Sequence, residues 1–447
     1  MGILHAGAAE VDITPALGSY LAGSFNERKA RDISDPLRAK ALVIDDGDKQ
    51  VAMIILDLLA IERSEVQKMR TLIEEATGIP PENVLIACTH THTGPITYLS
   101  HRRRDEAYLS WLVRRVSDCV QLALKRLRPA RLAWGQGEVY GISFCRRYRM
   151  SDGTVQMNPG RGNPNVVEPA SPIDPAVGVL LVEDENGAPI AVVAQFSLHY
   201  VGTDDSLAVS ADYYAHFDRF MRRMLGSSCL PMLFNGTSGQ INNINVFSKH
   251  QEKGHRQAAR VASILGGEVL KVLSRIKPGD DISLAAASVD VKLPRREITP
   301  EDLKLAKAII AGDDPDPEAN QFSFVVGQPI LDSRRLHYAN RCLRLKDLPA
   351  HIVAEVQTLR IGGSAWVGLP GEIFVEMGLA IKKNSPCADT FVIGLANDNV
   401  GYVPTDHAFA HEGGYETWPG GWKPIGPGTE GILVSTAQRL LNELCAR

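Results

Sequence analysis

Two histidines stand two residues apart directly after a short apolar run. Residues 87–95 read ACTHTHTGP and contain His90 and His92. The preceding ENVLIA predicts a buried strand, because it is short and apolar and follows the helix-stopping TGIPP. We therefore place both histidines where a strand passes into a loop, a position from which an imidazole is available for chemistry.

Further polar groups follow other predicted strands. They are His199 after AVVAQF, the string NGTSGQINN after PMLF, Glu372 after AWVGLPG, and NDNVGY, which ends at Tyr402, after VIGLA. In α/β sheets, the loops at the C-terminal ends of strands converge while the strands hold them in place. We therefore expect these groups to meet the two histidines in one site.

Two histidines and one carboxylate from separate strands form the ligand set of a catalytic zinc site, with one position left for water. Neutral imidazoles and a single carboxylate leave the ion with net positive charge, so it lowers the pKa of bound water towards ~7. The threonines beside His90 and His92 are expected to hydrogen-bond the rings. The sequence therefore predicts one Zn²⁺ per chain.

Each of these residues also has an ordinary structural explanation. A histidine at a strand end is more often a hydrogen-bonded loop residue than a ligand. A glutamate at the start of a helix, as predicted for Glu372, often only complements the helix dipole. The local signatures of other hydrolases are absent, including the Gly-x-Ser-x-Gly elbow, His-Glu-x-x-His and the P-loop.

Composition excludes several function classes. The 447 residues are 44% hydrophobic and 22% charged, with a formal net charge of -4. This charge gives no basic surplus for nucleic-acid binding, and no apolar run reaches the ~18 residues of a membrane-spanning helix. We therefore expect a small-molecule substrate, no nucleic acid and no membrane insertion, and the absence of a leader pattern at the start predicts a cytoplasmic chain.

The seven cysteines are odd in number, widely scattered and never arranged as Cys-x-x-Cys. This pattern argues against a disulfide framework and against a cysteine-based zinc site. We expect each cysteine to be a small buried residue with a free thiol.

Alternating strand and helix patterns predict the fold class. AKALVIDD and QVAMIILDLLAI flank the turn DGDK, and AVGVLLVED and PIAVVAQFSLH flank ENGA, so two hairpins are expected. We predict an α/β fold of layered mixed β-sheets flanked by α-helices. One domain is expected over residues 1–447, with a helical excursion at about 299–350.

Six motifs resemble a known family. AGAAEVDITP, THTHTGP, FSLHYVGT with VSADY, NGTSGQINN, LPGEIF and NDNVGYVPT occur in the order seen in the catalytic N-terminal domain of neutral/alkaline non-lysosomal ceramidases. The resemblance runs from about residue 5 to the C-terminus. It implies an α/β layered domain with one zinc at its centre and hydrolysis of the amide bond of ceramide.

The resemblance also implies residue roles. His90, His199, Glu372 and Tyr402 correspond to the zinc ligands. We expect Tyr402 to be the weaker fourth ligand, and whether it stays bound when substrate binds is left open.

His92 and Arg146 correspond to the pair that polarises the amide carbonyl and stabilises the oxyanion, and Arg147 is the competing choice. From the residues alone, Asp212 in SADYY is either a general base or a partner of a histidine, and we favour the second.

The sequence departs from the family at one central motif. Ceramidases show Gly-Asp-Val-Ser-Pro with a proposed catalytic serine, whereas residues 239–243 read GQINN and place Asn242 at the serine position. We therefore expect no acyl-serine step, and we expect the Asn242 amide to orient water or substrate. The immunoglobulin-like C-terminal domain of ceramidases is also expected to be missing.

The leading hypothesis is a zinc-dependent hydrolase in which metal-bound water attacks the amide carbonyl of a small polar substrate other than ceramide. An esterase, a lactonase or a hydrolase of a carbohydrate derivative is the first alternative. A zinc-retaining binding protein without activity is the second. Homo-oligomerisation stays open. The loop at 407–428, with Trp418 and Trp422, is predicted equally well as an aromatic lid or as ordinary packing.

Overall fold

The computed structural model describes residues 4–98, 104–280, 282–314, 321–327, 329–419 and 423–445. Its helices are α1 (Arg63–Thr77), α2 (Glu106–Lys125), α3 (Tyr213–Leu225), α4 (Gly254–Leu273), α5 (Pro300–Ala311), α6 (Asp332–Leu345), α7 (Val375–Lys383) and α8 (Thr429–Cys445). Short helical turns occupy Pro81–Asn83, Ala408–Glu412 and Tyr415–Thr417.

The longer strands build the two main sheets, and the shorter ones build small ladders around them. The strands are β1 (His5–Asp12), β2 (Asp32–Ile33), β3 (Arg38–Asp45), β4 (Gln50–Leu56), β5 (Val84–Cys88), β6 (Arg128–Glu138), β7 (Phe144–Cys145), β8 (Arg147–Met150), β9 (Val155–Met157), β10 (Val166–Pro169), β11 (Ala176–Asp184), β12 (Pro189–Phe196), β13 (Ala208–Val209), β14 (Leu230–Asn235), β15 (Ile241–Asn242), β16 (Leu284–Pro294), β17 (His351–Ile361), β18 (Ser364–Gly368), β19 (Glu372–Ile373), β20 (Asp389–Ile393) and β21 (Tyr402–Val403).

An eight-stranded and a four-stranded sheet pack face to face. Their orders are β14-β12-β11-β6-β1-β3-β4-β5 and β16-β17-β18-β20, with both parallel and antiparallel pairs. Leu42 and Ile44 of the larger sheet share one apolar cluster with Trp366 and Phe391 of the smaller. Helices α1 to α4 cover the outer face of the larger sheet, and α7 and α8 cover the smaller. The predicted layered α/β fold is confirmed.

Both predicted hairpins form, β3 with β4 and β11 with β12. The segment after β20 then joins the two outer strands of the large sheet. Asn397 N donates to Ile86 O of β5 at 2.8 Å, and Gly394 N donates to Asn235 O of β14 at 3.1 Å. Loops that follow opposite edges of the sheet are therefore brought together, because both edges bind this one segment.

Residues 299–350 contain α5 and α6, which pack with Phe322, Phe324 and Trp418 into a separate apolar cluster. The helices lie where the excursion was predicted, and the single-domain assignment stays a prediction.

Two expectations from the sequence are wrong. Glu372 does not begin a helix but lies in β19, and α7 begins three residues later. Cys387 and Cys445 are not free thiols but form a disulfide between residues 58 positions apart, which links the segment after α7 to the last turn of α8. This disulfide depends on how α7 and α8 pack, so the spacing of the cysteines in the sequence does not predict it. Among the described residues, the other five cysteines are free and buried.

None of the described helices is long and apolar enough to cross a membrane.

Candidate metal centre

Three histidine rings from two loops meet in the interior. The Nε2 atoms of His90 and His199 lie 3.0 Å apart, and Nε2 of His92 lies 3.3 Å from that of His90. Each residue offers one ring nitrogen to a group whose members all lie within 4.8 Å of one another. The described residues contain no other such group of three or more histidine, cysteine or acidic side chains.

Backbone carbonyls fix the tautomer of all three rings. The contacts of the Nδ1 atoms are His90 with Leu59 O at 2.9 Å, His92 with Gly23 O at 2.9 Å, and His199 with Ser238 O at 3.3 Å. A carbonyl oxygen only accepts, so each Nδ1 carries the proton and each neutral ring keeps its lone pair on Nε2. Three lone pairs therefore point at one another with no proton between them, and a bound cation satisfies them all.

Glu372 lies beside two of the histidines. Its Oε2 lies 3.3 Å from His90 Nε2 and 3.8 Å from His199 Nε2. This oxygen is buried and has no hydrogen-bond donor among the described residues. A buried carboxylate oxygen without a donor is costly, so the site is built for a positive charge. The residues therefore fit a metal ion.

Electrostatics keep the imidazoles in the ligand form. Burial, together with the neighbouring rings and Arg146, holds the pKa of His199 well below its ordinary value. The pKa of His92 is lowered in the same way, first by burial and then by His90. Both rings are therefore neutral near pH 7, which is the state that binds metal.

The backbone at His90 is unusual. His90 has φ of +68°, a region that few residues other than glycine adopt, and its N–H donates to Leu58 O at 2.9 Å. Strain of this kind concentrates at functional sites, where surrounding contacts enforce it. Here it turns the chain after β5 so that the ring can face His199.

Tyr402 enters the site through a backbone pairing. It lies opposite Glu372 in the parallel β19–β21 ladder, and Glu372 N donates to Gly401 O at 2.8 Å. The Arg146 guanidinium carbon lies 5.2 Å from the centre of the Tyr402 ring. Burial raises the pKa of Tyr402 well above its ordinary value, so the phenol keeps its proton. The structure brings Tyr402 beside Glu372 and Arg146.

Arg146 and Arg147 face different partners. Arg146 donates from Nε to Glu416 Oε1 at 2.8 Å, while its buried Nη2 has no hydrogen-bond partner among the described residues. Arg147 uses Nη1 for Glu416 and Nη2 for Glu412, at 2.9 and 3.1 Å. Burial lowers the pKa of Arg146, but Tyr402 and the nearby carboxylates outweigh burial and raise it overall. Arg146 therefore has a free Nη2 donor next to Tyr402, whereas Nη1 and Nη2 of Arg147 both donate to glutamates.

The sequence reasoning missed the two glutamates. Glu416 is completely buried between Arg146 and Arg147, and Glu412 bridges Arg147 to Arg149. The pKa of Glu416 falls below its ordinary value because the two arginines outweigh its burial. The two glutamates lie about 270 positions beyond the arginines. The only sequence signal for them is the pair of acidic residues in the otherwise largely uncharged loop HAFAHEGGYETW.

His92 lies closer to the ligand group than its predicted role required. Its ring stacks on Tyr200, with 3.7 Å between the ring centres. A Cβ at Gly23, where φ is +82°, would come within 2.5 Å of the His92 ring, so glycine is needed there. His92 therefore lies within the group of three imidazoles, and its role in polarising a carbonyl stays a prediction.

The threonines flanking the histidines have a different role from the one predicted. Thr91 and Thr93 donate from Oγ1 to Ser210 O, at 2.6 and 3.0 Å. Backbone carbonyls, not these hydroxyls, hold the ring nitrogens. The threonines therefore fix the loop on which the histidines lie.

Asp212 binds backbone amides and no imidazole. It caps α3 through Tyr213 N at 2.6 Å and accepts from Val201 N and Gly202 N at 3.1 and 2.7 Å. Burial raises the pKa of its carboxyl. It holds the loop just after His199, which differs from both roles expected for it.

Asn242 has its hydrogen bonds occupied. Its Nδ2 donates to Asn158 Oδ1 at 2.6 Å, and its Oδ1 accepts from Ile244 N at 2.9 Å. These contacts run to neighbouring loops instead of to the histidines or Glu372. An earlier residue of the string NGTSGQINN does lie next to the metal centre. Gly239 is so close to Glu372 that a Cβ on Gly239 would stand 2.4 Å from the carbonyl oxygen of Glu372.

The loop at 407–428 is partly described. Trp418 is buried and contacts Tyr338 of α6 edge to face, with ring centres 5.4 Å apart. This contact is the packing expected of an ordinary core tryptophan. Trp422 lies outside the described residues.

Comparison with known proteins agrees with the motifs. Residues 4–218 match the family model for neutral/alkaline non-lysosomal ceramidase, N-terminal. The chain is 25% identical to the neutral ceramidase of Pseudomonas aeruginosa, over 93% of this chain and 69% of that protein. It is 23% identical to the neutral ceramidase of Mycobacterium tuberculosis, over 94% of this chain and 75% of that protein.

Solved structures show the same fold. The crystal structure of the Pseudomonas aeruginosa neutral ceramidase superposes with a TM-score of 0.70 at 20% identity, over 99% of this chain and 75% of that one. A structure described as ceramidase complexed with C2 gives a TM-score of 0.73 at 19% identity, over 100% of this chain and 75% of that one. The resemblance inferred from six short motifs is confirmed: residues 4–218 match the N-terminal domain of neutral/alkaline non-lysosomal ceramidases, and the relatives found along most of the chain are neutral ceramidases.

Proposed function

We propose that this protein is a zinc-dependent hydrolase of an amide bond, with one ion between His90, His199 and Glu372. The relatives are neutral ceramidases, which hydrolyse an amide bond, and the chain carries a buried cluster of three imidazoles. The observation that carries the proposal is the arrangement of lone pairs. Carbonyl contacts at all three Nδ1 atoms leave the three Nε2 atoms facing one another. Those of His90 and His199 also lie 3.3 and 3.8 Å from Oε2 of Glu372, which has no hydrogen-bond donor among the described residues.

A cation held by these groups supplies Lewis acidity, which polarises a carbonyl oxygen and lowers the pKa of water towards ~7. Imidazole and carboxylate ligands suit zinc, which favours nitrogen together with one oxygen ligand.

The chain's own residues supply the remaining chemistry. Nη2 of Arg146 is a free, charged donor beside Tyr402, placed to stabilise negative charge on the carbonyl oxygen of a substrate. The protonated phenol of Tyr402 is a second donor on the same side. His92 is held against Tyr200 and can orient the same carbonyl or bind the ion. Donors of this type are often worth ~3 kcal/mol each in the transition state.

The substrate is the open part of the proposal. Because the relatives of this chain are ceramidases, ceramide is the first compound to test. The more polar substrate predicted from Asn242 has no support from the relatives, and the hydrogen bonds of Asn242 do not face the histidines. We retain an N-acyl amide as the substrate class.

The test begins with metal analysis of the full chain, which is expected to give about one zinc per chain. Turnover is then measured on ceramide, on a short N-acyl amide with a polar headgroup, and on the ester analogue of that amide. Glu372→Gln is expected to lose zinc and turnover together. A chain that stays metal-free after preparation with added zinc contradicts the proposal.

The alternatives give distinct outcomes. Faster turnover of the ester than of the amide identifies an esterase. One bound zinc without turnover of any compound identifies a binding protein. A cytoplasmic location stays a prediction, and the disulfide between Cys387 and Cys445 is of a kind that is rare in a reducing compartment.

A further inference from the structure

A cavity lies outside the candidate metal centre. It has a volume of about 270 Å³ and lies between the N-terminal part of α4, Phe144 of β7 and the loop at 245–252. Drug-sized ligands occupy pockets of ~300–1,000 Å³, so this cavity suits a smaller molecule. None of the proposed metal ligands lines it.

One side-chain amide of α4 faces this cavity. Gln257 of α4 lines the cavity and is only 2% exposed, and its amide is not among the fully enclosed side-chain atoms without a partner. The amide is therefore reached from the cavity. A ligand with hydroxyl or carbonyl groups suits it there, because an amide both donates and accepts.

The cavity also carries a free positive charge. Arg260, three residues further along α4, is an exposed residue that lines the wall and pairs with no carboxylate among the described residues. Glu252 at the rim is already paired with Arg256 at 3.1 Å, so its charge is compensated. An unpaired guanidinium offers a planar set of donors that matches a carboxylate or a phosphate.

The rest of the wall is fixed in place. Gln251 donates from Nε2 to Asn243 O at 2.6 Å, Ser248 donates from Oγ to His250 O at 2.6 Å, and Asn245 Oδ1 accepts from Phe247 N at 3.0 Å. The loop therefore needs no reordering before it binds a ligand, and the Phe144 ring adds an apolar face.

We propose that this cavity binds a small hydroxylated organic anion, with its acidic group on Arg260 and a hydroxyl on the Gln257 amide. The loop also borders the metal centre, since Asn243 Nδ2 donates to Tyr200 O at 3.3 Å and Tyr200 stacks on His92. The test therefore measures binding directly and does not depend on hydrolysis or on the proposed substrate.

The experiment is calorimetric titration of the full chain as purified, and the His90→Ala variant detects any anion that binds at the histidines instead of in the cavity. The probes are glucuronate, glucose 6-phosphate and neutral glucose. We expect at least one anion to bind at least tenfold more tightly than glucose. Arg260→Met is expected to weaken that binding at least tenfold, and Gln257→Met to weaken it several-fold.

Arg256→Met is the matched control, because Arg256 lies one turn earlier on α4 and is engaged with Glu252. It is expected to bind like the original chain. Failure of both anions to bind overturns the proposal, as does equal affinity in the Arg260→Met variant with an unchanged melting temperature. Binding lost in His90→Ala but kept in Arg260→Met places the anion at the histidines and also overturns it.

Discussion

Two buried clusters of ionisable groups lie side by side, and they differ in how their polar atoms are satisfied. In the metal centre, three Nε2 lone pairs and Glu372 Oε2 face one another without a donor. In the neighbouring network, Glu416 and Glu412 each face guanidinium groups at 2.8–3.1 Å. The first cluster is complete only with a cation, whereas the second is complete as it stands and holds Arg146 in place.

Removal of one metal ligand should have the largest effect. His90→Ala is expected to lose the metal and to lower kcat/KM by well over ~100-fold. Substitution of a residue that only hydrogen-bonds a metal ligand already lowers metal affinity or activity by ~10–100-fold. Metal content and turnover are measured on the same preparation. His216→Ala is the control, since His216 contacts His255 at 3.2 Å outside the centre. A fully active, metal-loaded His90→Ala variant would show that the two clusters do not differ as described.

Removal of the free donor should affect rate without affecting metal. Arg146→Met is expected to lower kcat by about 100-fold, which corresponds to ~3 kcal/mol of transition-state stabilisation. Zinc content should stay at the level of the unmodified chain. An unchanged kcat would assign Arg146 to the structural network alone.

Breaking the network should mainly lower stability. Glu416→Gln is expected to reduce the free energy of unfolding by about 3–5 kcal/mol, because two buried arginines lose a charge partner. Arg149→Met, at the end of the network where the side chain is 43% exposed, should cost less than about 1 kcal/mol. Urea denaturation measures both. If the two variants lose the same free energy of unfolding, burial does not determine how much an ion pair of this network stabilises the fold.

Glu416 should also make the stability of the protein depend on pH. The pKa of Glu416 is below its ordinary value of 4.5 in the folded state, so the unfolded chain takes up this proton first as the pH falls. The stability that Glu416 contributes is therefore present above about pH 4.5 and is lost at lower pH. The difference between the original chain and Glu416→Gln should shrink between pH 5 and pH 3, as measured by denaturation at each pH. If the difference in the free energy of unfolding grows as the pH falls, the pKa of Glu416 is raised in the folded state and the prediction is wrong.

The smallest effect is expected at Asn242. Because its amide binds Asn158 and Ile244, Asn242→Ala should lower kcat by less than about tenfold and stability by about 1 kcal/mol. Steady-state kinetics and thermal melting measure the two effects. A loss comparable with that of Arg146→Met would return Asn242 to the reacting centre.

Much of the local structure follows from the sequence. Alternating apolar residues and turn signals identified both hairpins, because side-chain period and turn chemistry act over a few residues. The strand-end positions of His90 and His199 followed from the same patterns. The helix expected at Glu372 was wrong, because the segment pairs with Tyr402 thirty residues later and tertiary pairing overrides local propensity.

The sequence by itself determined which residue types stand at the ends of which strands, since burial and periodicity are written locally along the chain. Only the tertiary structure decided that loops from opposite edges of the large sheet meet, because that depends on the segment from Gly394 to Asn397 binding both β5 and β14. The choice between Arg146 and Arg147 likewise depended on glutamates far along the chain. Contacts of that range are set by the packing of the whole sheet sandwich, and no window of sequence contains them.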